Sequence, residues 1–442
     1  MTQGGISMNR SEREHQGGPK QARGSKPGRT NGRGQSKAPS SAYRSMNSAF
    51  AVRRRDFLKL GGVVGAGLLL GSPAAWAEEQ AKVTPPPRPK TNLDDVLKIP
   101  RTKHSLPGPF PGKVVEVTDA KAMVKDQPSG DVVRAMFEKG IQNLTGKNMK
   151  DSFDLFFTKD DVVGIKVNPV GPGLIATRLE VVDAAIDWLV KNGIKPSNVI
   201  IWDRFDYMLK DAGFTPKRYP GIGIEGIQTM DEGFYTGESK DNSKWLGKDG
   251  KHLSGPNFDT EVYYWADVEG PKEDLGYLNQ QVFNGKYSYF GKLVTQKLTK
   301  IINIPVLKNT GNGISVATKN IGYGAICNTN RLHAPLFFDV CTEVHAFPVI
   351  RDRLVLNVVD GLRAQYDGGP MPAVEFAWAH NTLYFATDPF ALDTICHSVL
   401  LEKRKSMKVK VNEHPKYTEY LRYGERLGLG VGTPEKITRV KV

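Results

Sequence analysis

Apolar and polar positions along the chain change character twice. Up to residue 45 almost nothing is apolar, and the stretch QGGPKQARGSKPGRTNGRGQSK cannot bury enough surface to fold. A short apolar run follows at Leu60–Gly71, and from Gly112 onward short apolar runs alternate with segments of helical period. Lys113–Val117 reads as a strand, and Asp131–Gly140 as a helix with Val132, Val133, Met136 and Phe137 on one face. Val162–Val167 is nearly all apolar, as in a strand buried on both faces. Thr177 and Glu180 have the spacing of a capping box, Val182, Ala185, Ile186 and Leu189 follow at helical period, and Gly193 marks the stop. Asn198–Trp202 is again a buried strand, so these pieces form a right-handed βαβ unit. Further strands are expected at Lys300–Val306, Leu354–Val359 and Leu383–Ala386, then a helix from Pro389 to about Lys403 with Asp388 as N-cap, and an edge strand at Ile437–Val442. The class is α/β: a mainly parallel, Rossmann-like sheet with helices on both faces. Residues 215–297 break the rhythm, and EVYYW and KYSYF suggest hairpin strands in an inserted β-rich subdomain or lid.

Composition changes this picture mainly at the amino end. The chain has 442 residues, 61 Lys+Arg against 47 Asp+Glu, a formal charge of +14, and 3 Cys. Such a charge invites a nucleic-acid reading. However, nine basic and two acidic residues of 1–45, with four basic and one acidic of 46–77, account for +10 of it. Residues 52–77 contain Arg54, Arg55, Phe57, Leu58 and Lys59, then the short apolar run, then Ala75-Trp76-Ala77. This resembles a twin-arginine export signal with cleavage after Ala77. The run of 12 residues is shorter than the roughly 20 a spanning helix needs, so no stable membrane span is expected after cleavage. Met46 is a candidate start, which would leave residues 1–45 untranslated. Residues 78–111, with PPPRPK and PGPFPGK, read as a Pro-rich linker, and 112–442 as the folded region. The expected partner is the export machinery, the expected location periplasmic or extracellular, and nucleic acid is not an expected partner.

Several strands end in a polar residue. Asn168, Asp203 with Arg204, Lys308, Asp360 and Asp388 each follow an apolar run. In parallel sheets ligands bind outside the carboxyl ends of the strands. Asp203, Lys308, Asp360 and His333 are therefore the candidate catalytic groups. Asn168, Arg178, Arg204, Lys319, Asn320 and Arg331 are candidates for holding an anionic substrate. Asp203, Asp360 and Asp388 could hold a divalent metal ion, although Asp388 also suits a helix cap. The Gly-rich loops NTGNGIS (309–315) and YDGGPMP (366–372) offer backbone N–H groups to an anion, but neither carries a nucleotide-binding fingerprint. Cys341 and His345 stand four apart on a helix and could share a metal, or simply face the core. Three cysteines and no C-x-x-C-H leave no iron–sulfur or haem motif.

Together these segments resemble the domain-of-unknown-function 362 family. The residues that carry the likeness are VGIKVN (163–168), TRLEVVDAAIDWLVKNGI (177–194), NVIIWDR (198–204), INIPVLKNTGNGISVATKN (303–320), NRLHAP (330–335), NVVDG with GGP (357–361, 368–370) and TDPFALD (387–393). It extends from about Lys113 to the carboxyl end. The resemblance implies a fold, a set of motif positions and export by the twin-arginine route, not a reaction. Members with a fused ferredoxin carry cysteine-rich motifs that are absent here. Two functions remain open: an exported enzyme with an anion- or metal-binding crevice at the strand ends, and a periplasmic binding or accessory protein that uses the crevice without chemistry.

Overall fold

A computed structural model describes residues 87–228, 257–269, 285–333 and 335–442. Arg54, Arg55, Phe57, Leu58, Lys59 and the Ala77 cleavage site lie outside the described residues, as do the leader, the start of the linker and much of the 215–297 insertion. The strands are β1 (Lys113–Thr118), β2 (Met123–Val124), β3 (Gln127–Pro128), β4 (Val163–Val167), β5 (Val199–Phe205), β6 (Gly223–Gln228), β7 (Phe258–Trp265), β8 (Tyr287–Gly291), β9 (Lys300–Ile304), β10 (Val306–Thr310), β11 (Gly313–Ile314), β12 (Leu354–Gln365), β13 (Ala377–Ala386) and β14 (Thr438–Lys441). The α-helices are α1 (Leu93–Leu97), α2 (Gly130–Thr145), α3 (Met149–Phe156), α4 (Leu179–Lys191), α5 (Asp206–Asp211), α6 (Ala317–Gly322), α7 (Asp339–Ala346), α8 (Pro348–Arg351), α9 (Pro389–Ser406) and α10 (Glu419–Arg426).

One large sheet orders its strands β14-β1-β13-β12-β9-β4-β5-β6, with β10 and β11 attached beside β12. β12, β9, β4, β5 and β6 are parallel, as the unbroken apolar runs required. β13 runs against both β12 and β1, and β14 lies parallel to β1 at the edge. Because successive side chains alternate, Val163, Ile165 and Val167 of β4 join one core with α2, α3 and α4. Ile200 and Trp202 of β5 join another core, with β7, β8, α6, α7 and α10. Trp188 of α4 meets Phe137, Phe153, Phe156 and Phe157 edge-on at 5.6–6.5 Å. Each such contact adds about 0.5–1.5 kcal/mol beyond the area buried.

Several expectations need correcting. α4 has no capping box: the Thr177 hydroxyl donates to Ile304 O and accepts from Asn168 N, both at 2.8 Å. The helix starts after Arg178, whose backbone N–H is capped from across the sheet by Asp360 Oδ2 at 2.7 Å. Gly193 does adopt the left-handed conformation, with φ of +103°, as a helix stop. The strands run further than their apolar cores. β5 continues through Asp203 and Arg204, β12 through Asp360, and Lys308 lies inside β10. Pro305 splits the expected 300–306 strand in two: β9 pairs with β12 up to Asn357, and β10 from Asp360 onward.

The chain is also packed well before Gly112. Leu93, Val96 and Leu106 are buried. Arg88 pairs with Asp339 at 2.9 Å and with the fully buried Glu343. Arg351 donates to Ile99 O and Pro100 O at 3.1 and 2.7 Å, while Arg101 donates to Gly428 O and Leu427 O at 2.9 and 2.7 Å. Residues 87–111 thus form a strap fixed through arginines, because a Pro-rich stretch can satisfy its carbonyls only with outside donors. Among the described residues no helix is long and apolar enough to cross a membrane.

Candidate functional site

Register places four side chains in one row across the sheet. Lys166 lies opposite Trp202 on one side and Asn303 on the other, and Asn303 lies opposite Asn357. Two-residue periodicity turns all four toward α6. The Lys166 ammonium sits 5.6 Å from the Trp202 ring centroid. Its three protons go to Asp203, to Val167 O at 2.8 Å and to Asn320 Oδ1 at 3.1 Å. Lys166 is 1% exposed; burial, the larger effect, lowers its pKa and Asp203 offsets it. Gly324 makes this approach possible, since a Cβ there would lie 2.4 Å from Lys166 Cε and 2.3 Å from Asn320 O.

The asparagines connect this row to the crevice. Asn168 Nδ2 donates to Asn320 Oδ1 at 3.2 Å, Asn320 Nδ2 to Asn303 Oδ1 at 2.8 Å, and Asn303 Nδ2 to Asn357 Oδ1 at 2.9 Å. At the carboxyl edge β4 ends while β10 continues, and Lys308 reaches across the gap. Its Nζ donates to Asn168 Oδ1 at 2.8 Å and to Val170 O at 3.5 Å, and bonds no carboxylate among the described residues. Burial first, then the Lys319 charge, lowers the Lys308 pKa to about 7. Lys319 stands on α6, whose first N–H groups are held by buried Asp393: Ala317 N donates to Oδ1 at 2.7 Å and Thr318 N to Oδ2 at 2.9 Å. The Lys319 ammonium lies 5.6 Å from the Tyr323 ring and 4.9 Å from the Phe337 ring, with no hydrogen bond or ion pair among the described residues. Part of Lys319 meets solvent, yet the surrounding protein lowers its pKa to about 8. Asp203 thus pairs with Lys166 and its charge also reaches Lys308, while among the described residues no carboxylate is bonded to Lys308 or Lys319, so the group carries excess positive charge.

Residues 281–398 match the family model described as Domain of unknown function (DUF362). No curated protein matches the chain, and no solved structure does. The DUF362 segment contributes Lys308, Lys319 and Asn320, whereas Lys166, Asn168 and Asp203 precede it.

The remaining sequence candidates fall in different places. Arg204 donates to Thr329 Oγ1. His333 bonds Thr329 O at 2.9 Å and packs 4.5 Å from the Tyr323 ring. Although His333 is exposed at the rim, protein around it, then Lys319, lowers its pKa. These two border the lysines. Asp360 does not: it accepts from Arg178 N and from Leu362 N at 3.0 Å, and its pKa is raised by burial. Arg178 donates to Leu174 O beside it. Asp388 lies toward the opposite end of the sheet, because β13 is antiparallel. It accepts from Gly112, Phe390, Ala391 and Val431 N–H groups at 2.9–3.0 Å. Arg331 donates to Ala266 O, Val268 O, Lys286 O and Ser288 Oγ, fastening the β7–β8 hairpin. Asp203, Asp360 and Asp388 thus sit apart, and among the described residues no three His, Cys, Asp or Glu are grouped to hold a metal ion. His345 Nδ1 is 2.6 Å from Cys341 O, not from its sulfur. The two Gly-rich loops dock on each other, Gly369 N donating to Asn309 Oδ1 at 3.0 Å, instead of opening toward an anion.

Sequence reasoning missed Lys166, Asn303, Asn357 and Asp393. The first three had a signal: each is a polar residue interrupting a run that is otherwise buried on both faces. Two clefts lie elsewhere, one of about 460 Å³ bordered by Asp206, Glu225, Lys292 and Lys297, another of about 500 Å³ between Phe337, Phe338, Tyr417 and Tyr420. In the first, Glu225 already pairs with Lys297; the second mixes aromatic and apolar groups with Asp339, Lys416 and Glu419. The lysine crevice is the better candidate because its charge is buried and unbalanced.

Proposed function

We propose that this chain is an exported enzyme whose crevice at the carboxyl ends of β4, β5 and β10 binds a small anionic ligand. One observation carries the reading: Lys308 and Lys319 stand as neighbours with no carboxylate bonded to either among the described residues, beside a lysine that already claims Asp203. Buried ammonium groups without a counter-charge are costly, and an anion restores the balance. Lys319 and Lys308 hold the anion, Lys308 also gives or takes a proton near neutral pH, and Asp203 serves as a second proton carrier. Export rests on Arg54, Arg55, Phe57, Leu58, Lys59 and the Ala77 site in the sequence.

The test is thermal unfolding of the purified protein against phosphate, propionate and malonate, with chloride holding ionic strength constant. A saturable rise in melting temperature is expected with at least one anion. Lys319→Met should weaken that binding by about tenfold or more, the worth of one charged hydrogen bond. The absence of saturable stabilisation by any anion refutes the reading. For export, Arg54→Lys with Arg55→Lys should retain the precursor in the cytoplasm; undiminished periplasmic protein would remove that part of the proposal.

A further inference from the structure

The lysines of the crevice are not equivalent. Lys166 spends all three protons, one of them on a carboxylate. Lys319 lies over two aromatic rings, whose attraction for a cation works against the burial that lowers its pKa. Among the described residues Lys308 has two acceptors, both neutral, and it lies within the fields of Lys166 and Lys319. With two N–H bonds aimed at Asn168 Oδ1 and Val170 O, its third tetrahedral direction has no partner among the described residues. In the neutral amine that direction is the lone pair. An amine desolvated beside other cations is the standard setting for a lysine nucleophile.

We propose that Lys308 is a nucleophile that forms an imine with a small 2-oxo acid, whose carboxylate is held by Lys319. The proposal rests on the anion-binding reading of the same crevice and adds the substrate class and the bond made. The Nζ lone pair forms the N–C bond while the carbonyl π pair moves to oxygen. The nitrogen then forms C=N as the C–O bond breaks. Both Nζ hydrogens leave with the carbonyl oxygen as one water. The proposal assigns their transfer to Asp203, whose charge acts on Lys308: Oδ1 takes Lys166, and Oδ2 has no hydrogen bond among the described residues. No oxidant or reductant is needed for the step. A pKa near 7 leaves Lys308 substantially neutral at physiological pH, unlike an exposed lysine.

The test traps the imine on the full-length protein. Glyoxylate or pyruvate is added with sodium cyanoborohydride, and the modified lysines are located by peptide mass spectrometry. Lys308 should carry roughly tenfold or more label than any exposed lysine, reflecting its larger neutral fraction. Lys308→Arg should abolish that label. Should the variant fail to fold, propionate, which keeps the carboxylate and lacks the carbonyl, must still protect Lys308 in the unaltered protein. Acetone, a carbonyl without the acid, should not label Lys308 preferentially. Labelling of Lys308 no greater than that of exposed lysines with both 2-oxo acids overturns the proposal. In that case, saturable thermal stabilisation by propionate or phosphate leaves the anion-binding reading standing, and its absence removes both.

Discussion

Lys308 and Lys319 differ from surface lysines in what protonation does. Their pKa values, about 7 and about 8, are depressed chiefly by burial. Charging them is therefore resisted by their burial, and an anion that favours the charged form must supply the proton uptake. Anion affinity should accordingly be highest below pH 7 and fall as pH rises through 7 to 8. Titration calorimetry between pH 6 and pH 9 checks this, and a flat profile would contradict the assignment of these lysines to the site. The same depression bears on stability. The unfolded chain holds the Lys308 proton up to the ordinary lysine range near 10.5, while the folded chain gives it up near 7. The folded state therefore gains stability as pH rises between those values. At this scale the sequence was legible where a polar residue followed an apolar run, as with Asn168, Asp203 and Lys308. It misled at Asp360, and at Asp388 the structure shows the expected helix cap and not the ligand alternative, because a carboxylate after a strand serves a backbone N–H as readily as a ligand. Only the partners, Arg178 N for one and four loop and helix N–H groups for the other, separate the cases.

Among the elements, α6 has six residues and is too short to hold its own shape. Asp393, on α9, clamps its first turn and so fixes Lys319 over the aromatic rings. Asp393→Ala should cost about 0.5–2 kcal/mol as a lost cap, and should also weaken anion binding by releasing Lys319. Denaturant unfolding and calorimetry read the two effects separately, and a stability loss with unchanged affinity would show that α6 keeps its place without the clamp. Burial raises Asp393 and Asp388 to about 6. For carboxyls raised in this way, the stabilising contribution is complete below their unfolded value near 3.8 and is lost as pH rises through 6. The parallel strands and α4 could be read from period and punctuation. The β12–β13 reversal could not, since an apolar strand reads the same in either direction. The β9–β10 break was visible as Pro305 but not as two strands, because nothing local says that β12 is long enough to pair with both.

The whole molecule depends on contacts between segments far apart in sequence. The 87–111 strap meets α7, α8 and α10, and Arg88 reaches the buried carboxylate of Glu343 alongside the Tyr264 and Tyr423 hydroxyls. A chain beginning at Gly112, where the apolar pattern starts, should melt well below one beginning at Glu78, and Arg88→Ala should reproduce part of the loss. Scanning calorimetry decides this; equal melting temperatures would mean the strap is dispensable. Its binding was hidden in the sequence because its few apolar anchors are spaced without period and its carbonyls are met by arginines elsewhere. The strand order has a consequence for inheritance. β9 lies between β12, which follows it in the chain, and β4, which precedes it, so the sheet shuffles early and late segments together. A genetic crossover anywhere between β5 and β9 would give one parent's Lys166, Asn168 and Asp203 and the other's Lys308, Lys319 and Asn320. The crevice is thus passed on whole or remade at a seam that runs through its centre, and exchanging residues 281–398 alone would transplant half a site.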